Sequence, residues 1–198
     1  TLPLYSNLKT TGVYIYAKDY DIKGRQATIC VESEVKNETD RPVMRRLEVA
    51  VNELDGAEVC GFASEEVTIP AHGTAILKAQ CRAYNLHFWS WGYGYLYDVK
   101  TTVGADEVVT RTGFRKAEFK NGMDYLTDRV IMLHGYAQRT SNEWPGVGMS
   151  VPAWLSDYSN DLMVKSGGNL VRWMHITPWK QDVESCDRVG LIQAMPAG

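Results

Sequence analysis

The feature that most constrains this fold is a change of hydrophobic period near Gly113. Upstream of it, apolar residues recur at every second position. Ala27–Val35 sets Ile29, Val31, Ser33 and Val35 on one face and Thr28, Glu32 and Glu34 on the other, and Arg46–Val51 sends Leu47, Val49 and Val51 to one side. A period of two marks a half-buried antiparallel strand. Val67–Ile69, Ala75–Ala79, Tyr95–Val103 and Glu107–Arg111 extend the series to about seven short strands. Turn residues separate them at Asn37–Pro42, Asp55–Gly56 and Pro70–Gly73. Asp-Gly between alternating segments predicts a type I′ hairpin, with positive φ at both central residues.

That strand count over about 100 residues predicts an immunoglobulin-like β-sandwich, here without the Cys…Trp…Cys spacing of antibody domains. Downstream the pattern is different. Phe119–Met123 holds an Asn-Gly turn, Val130–Leu133 is a short apolar strand, and His134–Pro152 reads as a long loop. Trp154–Lys165 predicts a helix whose apolar stripe is Leu155, Tyr158 and Leu162, with Val164 as a further candidate, stopped by Gly167–Gly168. Leu170–Trp173 is a strand. Pro178 opens a second helix, with Val183, Cys186 and Val189 at a spacing of three and Gly190 where a left-handed cap belongs, and Leu191–Ala194 starts another strand. Strand, helix, strand, helix, strand predicts parallel βαβ units with right-handed crossovers. An eightfold barrel takes about 250 residues, and only about a third of that length follows Gly113. The expected fold is therefore mixed: residues 1–112 an immunoglobulin-like sandwich, and 113–198 the N-terminal part of a (β/α)8 TIM barrel, truncated after about two and a half βα units.

Composition excludes several classes. The 198 residues carry 21 Lys+Arg against 24 Asp+Glu, without basic runs, which argues against nucleic acid as a partner. A hydrophobic content of 44% fits a chain that buries a core and not a disordered one. The longest apolar run, Val13–Ala17, is far short of the ~18 residues of a membrane span, so no membrane association is expected. Leu2–Leu8 does not have the pattern of a signal peptide, and with Thr1 at one end and a new strand starting at the other, the chain reads as a piece of a longer polypeptide. Cys30, Cys60, Cys81 and Cys186 form no C-x-x-C pair, so neither a zinc site nor a redox motif is expected. They read as buried or half-buried free thiols, with a disulfide between two of the first three left open. Asp182, Glu184 and Asp187 read as a solvated helix face or as packing, with an acidic first turn suited to the helix dipole, and not as catalytic groups. Glu143 has no partner carboxylate in view, and Asn37-Glu38-Thr39 is a sequon of a kind common by chance.

Several ordered segments carry a family likeness. Phe88-Trp89-Ser90, Tyr95-Leu96-Tyr97-Asp98-Val99 and Thr112-Gly113-Phe114-Arg115 resemble the end of the immunoglobulin-like domain of glycoside hydrolase family 2. Leu133–Arg139 resembles that family's first barrel strand and the loop after it. Gly168–Arg172, His175 and Pro178, followed by Cys186–Leu191, resemble the second strand and helix. Bacterial β-galactosidase-like enzymes are the nearest kin by this likeness. The resemblance implies a retaining glycosidase with two glutamates ~5–5.5 Å apart, one the nucleophile and one the acid and then base. Those glutamates belong to the fourth and seventh barrel strands, beyond residue 198, so no catalytic residue is expected here and the piece alone should be inactive.

The same resemblance implies roles for particular residues. Arg172 matches an arginine at the end of strand two, His175 a histidine near the sugar, and Arg139 an arginine in the loop after strand one. Trp144 and Trp179, in loops expected at the barrel mouth, are candidate stacking platforms for a sugar ring. Two readings of Arg172 stay open, a guanidinium of the catalytic surroundings or a rim salt bridge. His175 reads as a sugar ligand or as a loop histidine bonded to backbone. The cluster Trp89, Trp91, Tyr93, Tyr95 and Tyr97 reads as packing. Departures from the family pattern at Thr140 and near Pro196 put a galactosidase-type metal site in doubt, so neither metal nor cofactor is expected; Gly94 replaces a common proline. Expected partners are a carbohydrate substrate and the remainder of the barrel, with self-association as one way to cover open strand edges. A bacterial periplasm or cytoplasm is the expected setting. The competing reading is a non-catalytic carbohydrate-binding or adhesin-like sandwich.

Overall fold

The computed structural model describes residues 12–138, 146, 151–175 and 177–196. The chain divides into two units, residues 1–87 with 97–114, and residues 88–96 with 115–198.

The first unit contains β1 (Val13–Asp21), β2 (Gln26–Lys36), β3 (Val43–Arg45), β4 (Glu48–Asn52), β5 (Glu58–Ala63), β6 (Val67–Ile69), β7 (Thr74–Ala83), β8 (Tyr97–Val103) and β9 (Asp106–Thr112). They form sheets of order β1-β2-β7 and β5-β4-β8-β9, with β3 paired to β6, and every pairing is antiparallel. Cross-strand partners share a face. Ile29 faces with Cys81, Val31 with Ala79 and Ser33 with Leu77 on one sheet, and Val51 with Val99 and Val49 with Thr101 on the other. Ile29, Val31, Leu77, Val51 and Val99 are fully buried, so the apolar faces of the two sheets make the interior of a β-sandwich. Tyr97 is buried as well; its hydroxyl accepts the His87 N–H at 2.7 Å, and its ring lies 5.6 Å from that of Phe114.

The alternation of Ala27–Val35 forms β2 as expected. The Asp55–Gly56 turn is different from the type I′ expectation. Only Gly56 has positive φ, and its N–H donates to the Glu53 carbonyl at 2.9 Å. This is a type I turn closed by a left-handed glycine, a three-residue loop in which Asp55 Oδ1 accepts the Ala57 N–H. Asn37, the sequon residue, is buried. Its amide donates to the carbonyls of Arg41, Ile69 and Pro70, so it serves as a loop tie. All four cysteines are free thiols.

The second unit opens with an antiparallel meander, β10 (Ala117–Lys120), β11 (Met123–Leu126) and β12 (Arg129–Ile131). Asn121 and Gly122 both take positive φ between β10 and β11, as Asn-Gly predicts. A parallel sheet of order β13-β14-β15 follows: β13 (Gly135–Gln138), β14 (Leu170–Trp173) and β15 (Ile192–Ala194), connected by α1 (Ala153–Lys165) and α2 (Lys180–Val189).

Two expectations are corrected in this unit. Val130 belongs to the antiparallel meander, and the first parallel strand lies inside the stretch that periodicity reads as loop, within the segment Leu133–Arg139 that the family resemblance reads as a strand and the loop after it. Gly135–Gln138 has no apolar alternation of its own; the ladder to β14, from Gly135 against Leu170 to Gln138 against Trp173, makes it a strand. The second correction concerns α1. Leu155 is buried and Val164 packs against the core of this unit, but Tyr158 and Leu162 are about half exposed, in line with Trp154 on an outer stripe. The buried side is Leu155, Ser156 and Asn160, because α1 meets α2 through polar pairs. Ser156 Oγ donates to Asp182 Oδ1 at 2.6 Å, and Asn160 Nδ2 donates to Ser185 Oγ at 3.0 Å.

Residues 88–96 pack with the helix ends of this unit. The Trp89 indole N–H donates to the Asp187 carbonyl at 2.7 Å, the Trp91 indole to Gly168 at 3.0 Å, and the Gly92 N–H to Gly190 at 3.0 Å. Each bond satisfies a carbonyl at or just past a helix end. Gly190 caps α2 in the left-handed conformation (φ 77), and a Cβ there would lie 2.6 Å from the Ser90 carbonyl and Tyr93 nitrogen. A Cβ on Gly94 would lie 2.0 Å from the Arg188 carbonyl, so this loop and α2 touch backbone to backbone.

Candidate functional site

The candidate residues gather around β14. Val171 and Trp173 point to the helices, where they pack with Cys186, Leu191, Met163, Val164 and Val189. By the alternation of a strand, Leu170 and Arg172 point to the other face. Ala137 and Ala194 flank Arg172 in register, so this layer presents one guanidinium between two methyl groups. Arg172 is exposed and makes no hydrogen bond or ion pair with another described residue. Neither the rim salt bridge nor a carboxylate clamp is formed within the described part of the chain.

His175 follows the C-terminal end of β14, is exposed, and makes no hydrogen bond with another described residue. Trp179 stands at the start of α2 and is half exposed. Its backbone N–H donates to Asp182 Oδ2 at 3.2 Å, which fixes where the indole leaves the chain. The structure thus brings Arg172, His175 and Trp179 onto one strand end and the segment leading to the next helix. Arg139 and Trp144 lie outside the described residues, as do Glu143 and Thr140.

What orients this strand is largely polar, and residue type alone did not reveal it. Asn169, buried just before β14, accepts the His134 N–H at 2.9 Å and donates to the Met132 carbonyl at 2.7 Å. The Trp173 indole donates to Gln193 Oε1 at 3.0 Å, and Gln193 donates in turn to the Val183 carbonyl at 3.3 Å. Gln138 Oε1, beside Trp173 in register, is buried without a partner among the described residues. The available signal was a carboxamide in or beside each of the three short strands, Gln138, Asn169 and Gln193, a residue type costly to bury unless it is bonded.

Of the acidic trio on α2, Asp182 lies in the first turn, buried and paired to Ser156, which is the packing alternative and not the solvated face. Glu184 is exposed and bridges to Lys180. Asp187 is half-buried beside a cavity of about 240 Å³ lined with Trp89, Arg115, Leu191, Gln193 and Met195. Burial pushes its carboxyl above the usual carboxylate range against the pull of Arg115. Arg115 itself lies over the Trp89 ring, 5.4 Å from the centroid. In the aromatic cluster, Trp89 and Tyr97 are core residues as expected, whereas Trp91 and Tyr93 are 40% and 46% exposed. Among the described residues no group of three or more His, Cys, Asp or Glu side chains could hold a metal ion, and no helix is long and apolar enough to cross a membrane.

With this geometry in place, comparison with known proteins defines the class. The profile of "Glycosyl hydrolases family 2" matches residues 11–115, more than half of the chain, and the chain belongs to that family. It is similar to a β-glucuronidase of Formosa agariphila, 33% identical over 99% of this chain and 20% of that protein. A β-galactosidase of Thermoanaerobacterium thermosulfurigenes is 27% identical over 54% of the chain and 16% of its own length. Among solved structures, a family 2 β-glucuronidase superposes with a TM-score of 0.84 at 31% identity, over 98% of this chain and 21% of that one. The chain therefore spans about a fifth of the length of these relatives.

Proposed function

We propose that the protein to which this chain belongs hydrolyses β-glycosidic bonds with retention of configuration, and that this chain supplies scaffold and one wall of the sugar pocket. In this reading residues 1–112 are the immunoglobulin-like sandwich of a family 2 enzyme. Residues 113–198 are the N-terminal part of its (β/α)8 catalytic barrel, an antiparallel meander followed by the first two and a half βα units. The observation that carries it is Arg172, exposed on the non-helical face near the C-terminal end of a parallel strand, with His175 just beyond. In barrels of this type chemistry gathers at the C-terminal strand ends.

Arg172 and His175 then offer charge and hydrogen bonds to sugar hydroxyls or to a catalytic carboxylate. Arg139, next after β13 in sequence, is a third polar candidate for this wall, and Trp144 and Trp179 are the candidates for stacking on a sugar ring. The nucleophile and the acid/base glutamate come from later strands, so residues 1–198 alone do not turn over substrate. The remaining barrel strands are the partner that covers the exposed face of β13-β14-β15. The likeness to a β-glucuronidase runs through nearly the whole chain and that to a β-galactosidase through about half, which makes a β-glucuronide the first substrate to try. The carbohydrate-binding-module reading is not favoured, because the relatives are hydrolases and the likeness extends through the βαβ segment.

The test is hydrolysis of nitrophenyl β-glucuronide and β-galactoside by the complete reading frame and by residues 1–198. Turnover by the former alone is expected. Turnover by residues 1–198, or by neither, would count against the reading.

A further inference from the structure

The sandwich holds a pair of thiols that the glycosidase reading does not use. Cys81 faces with Ile29, which is fully buried, and so points into the interior from β7, the edge of one sheet. Cys60 faces with Val51, also fully buried, and points into the same interior from β5, the edge of the other. Where these edges meet, Cα atoms of β5 and β7 come within 8 Å of each other, less than the ~10 Å between the faces of stacked sheets. The other two cysteines are excluded by position. Cys30 lies on the opposite face of β2, with its thiol toward Gln80 Oε1 at 3.7 Å, and Cys186 is buried in the second unit. Both Cys60 and Cys81 are half-buried, so neither residue is fully withdrawn from solvent. The two thiols are close enough to feel each other: burial first, then Cys81 and Glu58, push the Cys60 thiol up to about 11.

We propose that Cys60 and Cys81 are a reversible thiol pair that closes into a disulfide between the two sheets of the sandwich. The co-reactant is a low-molecular-weight disulfide. One protein thiolate attacks it and releases one small thiol, leaving a mixed disulfide; the second protein thiolate displaces the other small thiol. Two cysteine thiols and one disulfide thus give one Cys60–Cys81 bond and two small thiols, with no electrons left over. The bond ties the two edges and closes the loop between residues 60 and 81, which restricts the unfolded chain. Because the thiolate is the attacking form, the rate rises with pH toward the raised value of Cys60.

The folded chain is treated with oxidised glutathione, quenched with acid, then unfolded, alkylated and weighed. The expected product has lost the mass of two hydrogen atoms and takes up alkylating agent at only two of its four cysteines. Trypsin without reductant should yield the segment Leu47–Lys78 joined to Ala79–Arg82. Dithiothreitol should restore four alkylated thiols. Cys60→Ser and Cys81→Ser, each checked for native circular dichroism, should stop at a glutathione adduct. Four free thiols after treatment of the folded chain would overturn the proposal. So would stable adducts without closure, a bond mapped to Cys30 or Cys186, or closure seen only in denaturant.

Discussion

The two units of this chain reach order by different physics. In the sandwich, both sheets turn an apolar face inward, and Ile29, Val31, Leu77, Val51 and Val99 are completely withdrawn from water. Burial by itself accounts for that fold. In the second unit the helix side of the parallel sheet is dry around Val171, Trp173, Cys186 and Leu191, and a second small cluster gathers Trp89, Leu96 and Leu126 with Ile131 and Ile192, while the other face of the sheet still leaves Arg172 and Ala137 exposed. Its helices meet through Ser156–Asp182 and Asn160–Ser185, and its helix ends are held by donors from residues 88–96. A smaller apolar core makes this unit depend on a few specific contacts. The residues proposed for function lie on the face where burial is lacking.

The tryptophans allow this contrast to be tested. All six belong to the second unit, so indole fluorescence follows that unit alone, and far-ultraviolet dichroism is weighted to the β-rich sandwich. The largest effect is expected for Trp173→Ala, which empties a nearly inaccessible site and orphans Gln193 Oε1; a loss of about 3–5 kcal/mol should move the fluorescence-detected denaturation midpoint. Gly190→Ala places a Cβ 2.6 Å from the Ser90 carbonyl in a left-handed conformation and should cost roughly 3 kcal/mol by the same readout. Ser156→Ala leaves the buried Asp182 without its hydroxyl partner and should cost about 1–3 kcal/mol. If these three changes left the fluorescence midpoint in place, the dependence of the second unit on specific contacts would be wrong.

Acid should separate the units in sign. Asp98 is held below its usual range by Arg111, whose guanidinium donates to both carboxylate oxygens at 2.9 Å. Its contribution is present above pH 3.8 and is lost as pH falls through the lowered value, and for this partly exposed pair it is at most about 1 kcal/mol. Asp187 is raised by burial, so its charged form weakens the fold. Stability is recovered as pH falls through the raised value toward 3.8, where the unfolded carboxyl also protonates. Asp187→Asn should remove that gain from the fluorescence profile, and Asp98→Asn should remove the acid loss from the dichroism profile. Profiles unchanged by either substitution would sink the contrast.

Strands that carry their own pattern could be read from the sequence. Ala27–Val35 became β2 because its alternation matches a sheet buried on one side. Asn121–Gly122 and Gly190 took positive φ because few other residues do so without strain. What escaped was structure made by partners. Gly135–Gln138 has no alternation to read and was marked only by the likeness of Leu133–Arg139, because β14 is what makes it a strand, and α1 turns Ser156 and Asn160 inward only because α2 answers with Asp182 and Ser185. Thr127 and Asp128 form a tight turn with positive φ and no glycine, held where the Thr127 hydroxyl donates to the Trp89 carbonyl, a contact from 38 residues away in sequence. For the candidate site, the alternation of Leu170–Trp173 was enough to set Arg172 and Trp173 on opposite faces. The roles of Arg172, His175 and Trp179 came from family likeness, because exposed polar residues leave no trace in hydrophobic periodicity.

The central claim is that Arg172 serves the sugar site and not the fold. It is tested most directly by kcat/KM of the complete enzyme carrying Arg172→Ala, measured together with its denaturation midpoint. Loss of about 100-fold in kcat/KM at a midpoint changed by less than about 0.5 kcal/mol is the expected result. An unchanged kcat/KM, or a loss explained entirely by unfolding, would contradict it.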